Sequence, residues 1–584
     1  MAPMSTSQNI KKLLETIKFR QTPQKIRVCF VIMMEGDLVM SAEHLGPAYL
    51  TSVLRNAGAE CSIFEIYPKD NLTEKSHDIA EFKPDIVGFT LTMVSVNRIT
   101  VFGQQLRNEL GDAVCIVGGG VLATHLHDSL LQDEKWRFMD SLIRGEGEIP
   151  ILQLAETIQK QTALEGVNNL VYRQNGMIQH NRMLPLIPDL DILPLPARDQ
   201  MANSNSKLPY LRISTSRGCT SHCTFCNAPH TKNRLGKGSV WRGRSAEQVV
   251  DEIDHLYRTY KYDTFDFIDS TFEDPGGNAA AKTRIAEIAD RILDKQLKIY
   301  FNCCFQAKNW QSSDIPLIHL LWRAGLEKVL VGIESGSERG LRTWQKKSSV
   351  KDNKTVIELL TSQSIYVAFG FISFHPWSGF NEVKQNVGFL GQNMGHNLRR
   401  YTVRLELYPG AEVIELLKAE ELLDESFIKS LNPFGYKYKD NRMQNLASNL
   451  NQLYGDQYEE QGRIAQEPAV FKFETYDIVL HTYRSRLLRL MDGHQPGSDI
   501  LAKCESDIQV LKNEMTDYNQ SLVSHFIDLA EKDSLPQKKG LQHQNEVEIY
   551  YSRKIEQLQS CQLRASMHLH RAGYNVRKML APLK

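Results

Sequence analysis

Strand and helix patterns alternate along most of this chain, and that alternation restricts the fold more than any other feature. Short apolar runs rich in β-branched residues are separated by segments with helical periodicity. The first set of runs is IRVCFVIM (26–33), ECSIFEI (60–66), DIVGFTLT (85–92), VCIVGGG (114–120) and MDSLIRG (139–145). Continuously apolar strands joined through helices form a parallel sheet covered on both faces. The pattern predicts an α/β fold that begins with a doubly wound, five-stranded parallel sheet over residues 25–161.

The same alternation resumes farther along the chain. The second set of runs is LRISTSRG (211–218), DTFDFIDST (263–271), KIYFNCCFQ (298–306), KVLVGIES (328–335), YVAFGFISF (366–374) and RRYTVRLELYP (399–409). Six such strand–helix units suit a partial (β/α)6 barrel over residues 208–414. In barrels of this type the chemistry gathers at the C-terminal ends of the strands.

The remaining segments are less informative. Residues 1–24 form an extension, and residues 162–207 form a linker that holds a hairpin, LVYRQNGMIQH, with its turn at Asn175-Gly176. From residue 415 to 584 the sequence is rich in Lys, Glu, Gln and Leu with helical periodicity. It predicts a mostly helical C-terminal domain, and nothing in its sequence indicates a role.

Composition excludes several classes of function. The 584 residues carry 69 Lys and Arg against 69 Asp and Glu, a balance that argues against a nucleic-acid partner. No apolar run reaches the roughly 20 residues of a membrane span, and the N-terminal stretch lacks the apolar core of a signal peptide. The expectation is a cytoplasmic protein with no membrane partner, where cysteines stay reduced.

Three of the ten cysteines cluster in the segment RGCTSHCTFC, directly after the first predicted barrel strand. Cys219, Cys223 and Cys226 have the spacing Cys-x3-Cys-x2-Cys. Three thiolates can hold three irons of a [4Fe–4S] cubane, which leaves the fourth iron open for a ligand. A structural zinc site needs a fourth protein ligand, and the nearest candidates are His222 and His230. His222 lies inside the loop, where it could hardly close a tetrahedron, so a cluster is favoured.

This loop resembles the signature of the radical S-adenosylmethionine (SAM) superfamily, and the aromatic Phe225 between the last two cysteines matches as well. The resemblance implies that SAM chelates the open iron and is cleaved by one electron. The product is a 5′-deoxyadenosyl radical that abstracts hydrogen from a substrate. An external one-electron donor of the flavodoxin or ferredoxin type is then required.

Three further segments resemble SAM-binding motifs of the same superfamily. In VGIESGSE, Glu334 matches the acid that contacts the SAM ribose. In FIDSTF, Asp269 matches the acid near the methionine amino group, although Ser270 stands where the family often has a second acid. Gly370 and Ile372 match the segment that supports adenine. For either acid, a helix N-cap or a surface ion pair is the alternative interpretation.

The order of motifs in the first domain extends the resemblance. HLGPAYLTSVLRNAG, KPDIVGFTLT, IVGGGVLAT and IRGEGE, followed by the barrel, resemble cobalamin-dependent (class B) radical SAM enzymes. The triple glycine is not the Gly-x-Gly-x-x-Gly of dinucleotide sites. The resemblance implies that the corrin lies across the carboxyl edge of the sheet. The candidate contacts, each of which could instead be a turn residue, are Thr90, Thr92, Met93, Ser95, Gly119, Gly120, Thr124, Gly145 and Glu146.

One departure concerns the lower axial ligand of cobalt. Many cobalamin domains supply a histidine through Asp-x-His-x-x-Gly after the first strand, but His44 lacks the Asp and the Gly at the required offsets. A formal match at Asp492–Gly497 falls between C-terminal helices, and we interpret it as a turn. The resemblance then implies cobalt without a protein histidine, which favours nucleophilic Co(I).

The leading hypothesis is a methyltransferase that moves a methyl group from SAM, via methylcobalamin, to an unactivated carbon of a natural product or peptide. A second hypothesis keeps the cofactors but catalyses a cyclisation or rearrangement without methyl transfer. A third makes the chain a cobalamin or redox sensor. His375, Glu406 and Tyr408, near predicted strand ends, are weak candidates for substrate contacts.

Overall fold

A computed structural model gives the fold of most of the chain. It describes residues 10–12, 14, 25–34, 43–198, 210–228, 239–454, 467–491 and 495–579. His230 and part of the Asp492–Gly497 match lie outside these residues. The chain divides into two compact units, composed of residues 1–220, 226–275 and 409–412 for the first and 221–225, 276–408 and 413–584 for the second.

The first unit contains a seven-stranded sheet with the order β2-β1-β3-β4-β5-β6-β7. Its strands are β1 (Arg27–Met33), β2 (Glu60–Ile66), β3 (Ile86–Thr90), β4 (Cys115–Gly119), β5 (Ser141–Ile143), β6 (Leu170–Gln174) and β7 (Met177–His180). The first five are parallel, as predicted. The predicted hairpin extends this sheet, because β6 pairs with β5 in antiparallel orientation. Asn175 and Gly176 both have positive φ in its turn, at 52° and 76°.

Helices cover this sheet on the pattern that the sequence indicated. They are α1 (Leu45–Asn56), α2 (Leu72–Phe82), α3 (Val96–Leu110), α4 (Val121–Gln132) and α5 (Glu148–Lys160). Val28, Phe30 and Ile86 of the sheet pack in one core with Leu54 of α1 and Leu152 of α5, all of them buried. Burial of this apolar surface is the main stabilising contribution.

The first unit also holds the opening strands of the predicted barrel. Strand β8 (Leu211–Ile213) pairs in parallel with β11 (Thr264–Phe267), and β9 (Ser216–Arg217) forms a short antiparallel ribbon with β10 (Arg242–Gly243). Helix α6 (Ala246–Tyr260) follows this ribbon. The predicted N-cap of α6 is present, because the Ser245 side chain accepts a hydrogen bond from the backbone N–H of Gln248.

In the second unit three more parallel strands are paired side by side. They are β12 (Tyr300–Phe305), β13 (Leu326–Glu334) and β14 (Tyr366–Phe371). The helices before, between and after them are α7 (Thr283–Asp294), α8 (Ile315–Ala324), α9 (Glu338–Thr343), α10 (Val350–Ser362) and α11 (Phe380–Asn393). Helix α7 illustrates why these segments are helical. Its buried residues recur at helical spacing on one face, and they are Ile285, Ile288, Ala289 and Ile292.

The sixth predicted barrel strand, over residues 399–409, does not form. That segment contains a 3-10 turn, Leu398–Tyr401, and a single parallel bridge between Phe374 and Arg404. The guanidinium groups of Arg399 and Arg400 pair with the carboxylate of Glu474 in the following helical region. Tertiary ion pairing therefore overrides the β-propensity of the run.

The C-terminal region is helical, as predicted. Its helices are α12 (Glu412–Ala419), α13 (Glu425–Ser430), α14 (Asn441–Gln452), α15 (Ala469–Leu490), α16 (Gln495–Glu531), α17 (Lys539–Arg571) and α18 (Val576–Met579). Among the helices that the structure describes, none combines the length and the apolar composition that crossing a lipid bilayer requires.

Candidate active site

A cavity of about 350 Å³ lies in the first unit at the carboxyl ends of β3, β4 and β5. This edge of a doubly wound parallel sheet is where such folds bind ligands. The volume is within the range of ordinary small-molecule sites. Its floor is apolar, with Phe30, Phe89, Val117 and Ile143 among the lining side chains.

Five of the nine predicted cobalamin contacts line this cavity. They are Thr90, Gly119, Gly120, Gly145 and Glu146. The others, Thr92, Met93, Ser95 and Thr124, are not among the described lining residues. Thr124 instead joins two lining turns, since its hydroxyl donates to the Gly120 carbonyl at 2.9 Å and accepts from the Gly145 N–H at 3.0 Å. The hydroxyls of Thr92 and Ser95 bond to each other at 2.7 Å.

The glycines of the cavity give it the shape that a bulky ligand needs. Gly120 and Gly145 have φ of 98° and 73°, a region that other residues adopt only with strain. A Cβ added to Gly119 would meet no atom within 4 Å, so it would project into open space at the cavity wall. This cradle of bare backbone over an apolar floor fits the nucleotide tail of a cobalamin.

Sequence reasoning missed two walls of the cavity. Helix α1 contributes Gly46, Tyr49 and Leu50, while Ser214, Arg217 and Ile268 come from the segments around β8, β9 and β11. In the sequence, the segment HLGPAYL contributes to the prediction only through its place in the order of motifs. Contacts between residues so far apart in sequence leave no signal in local spacing.

Arg217 connects the cavity wall with the start of the cysteine loop. Its guanidinium contacts Glu146 at 3.1 Å and Glu148 at 2.7 Å, and it stacks on the Tyr49 ring at 5.2 Å. Burial alone would lower the pKa of Arg217, but the two carboxylates outweigh burial and raise it. Two residues farther on is Cys219.

Glu146 lines the cavity and is also bonded by several protein donors. Its carboxylate accepts hydrogen bonds from Arg217 at 3.1 Å, from Arg242 at 2.8 Å and from the Ile187 N–H at 2.8 Å. Burial would raise the pKa of this carboxyl, but Arg217 and Arg242 outweigh it and lower the pKa. Glu146 therefore lines the cavity as an ionised group already engaged by protein donors.

The part of the cysteine loop that belongs to the first unit is tightly fixed. Gly218 has φ of 89°, and an added Cβ would lie 1.9 Å from the Val240 carbonyl oxygen. Buried Asp269 accepts hydrogen bonds at 2.8 Å from the N–H groups of Thr215 and Ser216. Asp269 therefore holds the chain just before the cysteines, and its predicted place near the SAM amino group stays a prediction.

The remaining loop residues, in the second unit, pack against the segment after α9. The Thr224 N–H donates to the Trp344 carbonyl at 3.2 Å, and the Thr224 hydroxyl donates to the Thr343 carbonyl at 3.2 Å. The Phe225 ring meets the Trp344 ring edge-on, with centroids 5.6 Å apart. Cys223, between these anchored residues and the loop start, is buried.

Glu334 is held in an unusual conformation at the end of β13. Its φ is 62°, in the left-handed region that a residue with a Cβ adopts at a cost. Its carboxylate is 3.5 Å from Lys346, and a Cβ on Gly332 or Gly370 would come within 2.9 or 3.3 Å of it. The Ile372 N–H donates to the Glu334 carbonyl at 2.9 Å.

His375 has a packing role in this structure, and its predicted contact with a substrate stays a prediction. It is completely buried, its Nε2 is 3.0 Å from a Glu382 carboxylate oxygen, and its Nδ1 accepts from the Trp377 N–H at 3.3 Å. Glu406 and Tyr408 are hydrogen-bonded to each other near the surface. Their contact with a substrate stays a prediction.

Comparison with known proteins adds a family and several relatives. Residues 213–384 match the model of the radical SAM superfamily. An uncharacterised methyltransferase of Pyrococcus horikoshii, PH0819, is 26% identical over 383 residues, which cover 65% of this chain and 79% of the relative. The 4′-phospho-dehydrooxetanocin synthase of Priestia megaterium is 24% identical over 370 residues, 59% of this chain. This chain spans only 48% of the synthase.

A solved structure matches most of the chain. The cobalamin-dependent S-adenosylmethionine radical enzyme OxsB, with aqua-cobalamin and S-adenosylmethionine bound, gives a TM-score of 0.64 at 17% identity. The match covers 91% of this chain and 84% of OxsB. At that identity the likeness concerns the fold, including the helical C-terminal region.

Proposed function

Since residues 213–384 form a radical SAM domain, we propose that this chain is a cobalamin-dependent radical SAM methyltransferase. It acts on an unactivated carbon of a natural product or peptide. The observation that carries the proposal is that Arg217 belongs both to the cavity wall and to the segment that leads into the cysteine loop. Its guanidinium belongs to the wall of the glycine-lined cavity, and its backbone leads within two residues to Cys219. A cobalamin in that cavity would therefore adjoin the start of the cluster loop.

The chain's own residues divide the work of holding the cofactors. Cys219, Cys223 and Cys226 would hold a [4Fe–4S] cluster with one open iron. Gly119 and Gly120 leave backbone bare for the cobalamin nucleotide tail. A carboxylate accepts hydrogen bonds from hydroxyls, so strained Glu334 would bind the SAM ribose.

Asp269 would position the cysteine loop through the backbone that precedes it. By holding the N–H groups of Thr215 and Ser216, its carboxylate fixes the approach of the chain to the cysteines. When bound, the cluster and cobalamin supply the one-electron cleavage of SAM and the carriage of a methyl group. The protein orients these groups and excludes water from them.

Anaerobic reconstitution with iron, sulfide and hydroxocobalamin tests the proposal. We expect one cluster and one cobalamin per chain, by optical and EPR spectra. After reduction, SAM with a deuterated methyl group should release S-adenosylhomocysteine and leave the label on the protein-bound cobalamin. Cys226→Ala should lose the cluster, whereas the matched control Cys304→Ala should keep it. A cluster that survives Cys226→Ala together with Cys219→Ala and Cys223→Ala would contradict the proposal.

A second candidate keeps both cofactors but ends in a cyclisation or rearrangement. Its support is the likeness to the 4′-phospho-dehydrooxetanocin synthase, a relative not named as a methyltransferase. The two candidates differ in the mass of the product. A gain of one methylene unit supports methyl transfer, and an unchanged or smaller mass supports the alternative.

A further inference from the structure

Positive charge is concentrated in the segment that follows β13. Residues 338–354 hold six Lys and Arg against two Asp and Glu, in a chain whose total charge is balanced. Both acids are engaged locally: the Glu338 carboxylate accepts from the Val350 N–H, and Asp352 completes the capping box at the start of α10. With six basic and two acidic side chains, the segment carries a net positive charge.

The basic side chains of this segment fall into two groups. Lys346 is 3.5 Å from Glu334, the exposed Arg339 donates to the Trp377 carbonyl at 3.2 Å, and Lys354 donates to the Gln392 side-chain oxygen at 3.0 Å. Arg342, Lys347 and Lys351 are exposed. We call these three residues the basic patch. Arg342 also lines an open groove of about 490 Å³ beside α9.

The segment that carries the basic patch is bonded to the cysteine loop. The carbonyls of Thr343 and Trp344, which lie between Arg342 and Lys347, accept the hydrogen bonds of Thr224. The Trp344 ring is buried against Phe225, one residue before Cys226. The segment that carries the basic patch is therefore in direct contact with the cysteine loop.

We propose that the basic patch is the docking surface for an acidic one-electron carrier protein, of the flavodoxin type. This inference rests on the proposed function, because the cluster is the acceptor. The reduced carrier loses one electron, the cluster gains it, and no atom is transferred. Charge of one sign beside an acceptor steers an oppositely charged protein and raises its association rate.

The test compares two reductants on the reconstituted holoprotein. The variant R342E/K347E/K351E reverses the patch and leaves Lys346 and Arg339 in place. With reduced flavodoxin, we expect the concentration that gives half the maximal rate of SAM cleavage to rise about tenfold or more. With dithionite, which needs no docking surface, the rate should stay that of the wild type. Salt at about 0.5 M screens surface charge, so it should weaken the flavodoxin reaction of the wild type. The flavodoxin reaction of the patch variant should change much less.

A matched variant, K532E/R553E/R571E, reverses three exposed basic residues on or beside the C-terminal helices. It should behave as the wild type with both reductants. The proposal is overturned if this control loses as much flavodoxin-driven rate as the patch variant, or if the patch variant loses the dithionite-driven rate as well. The latter result would mean that the segment acts only as structure.

Direct binding separates this inference from the proposed function. Immobilised flavodoxin should bind the wild type about tenfold more tightly than the patch variant, whether or not SAM is cleaved. If the wild type binds flavodoxin this way but cleaves no SAM with dithionite, only the proposed function fails. Equal binding of the two proteins, or a preference of the patch for single-stranded oligonucleotide over flavodoxin, contradicts the docking surface.

Discussion

Glu334 combines a carboxylate with a backbone conformation that is costly for a residue with a Cβ. A left-handed backbone costs a residue with a Cβ roughly 1–2 kcal/mol, and glycine avoids most of that cost. Positions 332 and 370, which flank the carboxylate, are glycine, so its space is kept free at two more points. Strained conformations of this kind cluster at functional sites. The contact of Glu334 with SAM stays a prediction, and strain is one property of the site that can be measured.

Replacing Glu334 separates strain from function. We expect E334G to be more stable than E334A by about 1 kcal/mol, because the two differ only in the Cβ that disfavours positive φ. Both variants should bind SAM at least about tenfold more weakly, because both lack the carboxylate. Calorimetric unfolding and SAM titration measure the two effects. Equal stability of E334G and E334A would show that the conformation carries no strain.

At the scale of elements, the ribbon of β9 and β10 is fixed to the turn before α5. Arg217 on β9 and Arg242 on β10 are directly paired in the ribbon, and both bond Glu146. The ribbon therefore cannot shift without breaking partly buried ion pairs. This arrangement holds one wall of the cavity and the start of the cysteine loop as one body.

Removing the shared carboxylate should loosen that body. We expect E146Q to lower the free energy of unfolding by about 2 kcal/mol, because two arginines lose a partly buried charged partner. Cobalamin affinity should fall as well, since the wall moves with Arg217. The matched control E165Q removes an exposed carboxylate and should change neither quantity. Wild-type cobalamin affinity in E146Q would show that the ribbon does not shape the cavity.

The elements divide clearly into those that sequence could predict and those it could not. The five parallel strands of the first sheet were predictable because their apolar runs are continuous and need cover on both faces. The 399–409 strand was not, because Arg399 and Arg400 pair with Glu474, far along the chain. In the cavity, local glycine patterns were visible, whereas the pairing of Arg217 with Glu146, 71 positions apart, was not.

At the scale of the whole molecule, each compact unit contains a partly buried histidine whose pKa is lowered. Burial, with a contribution from Arg212, lowers the pKa of His44 to about 4 in the first unit. Burial also lowers the pKa of His481 to about 4 in the second unit, where its Nε2 is 3.2 Å from the Ser364 carbonyl. In the unfolded chain both imidazoles have the ordinary pKa of about 6.5.

Mild acid should therefore destabilise both units. Between pH 6.5 and 4 the unfolded chain binds protons that the folded chain does not, so the free energy of unfolding decreases as pH falls. Each histidine contributes up to about 1.4 kcal/mol per pH unit in that window. Calorimetry at pH 7 and pH 5 measures the loss, which H44N and H481Q together should reduce. A double variant as acid-sensitive as the wild type would contradict this account.

The double position of Arg217 has a thermodynamic consequence. If cobalamin in the cavity alters the bonds of Arg217 to Glu146 and Glu148, it also alters the energy of the chain that leads to Cys219. Linkage is reciprocal, so any factor by which cobalamin strengthens SAM binding at the iron must equal the factor by which SAM strengthens cobalamin binding. Where that factor exceeds one, the two cofactors assemble cooperatively, and half-loaded protein is scarcer than independent binding would give.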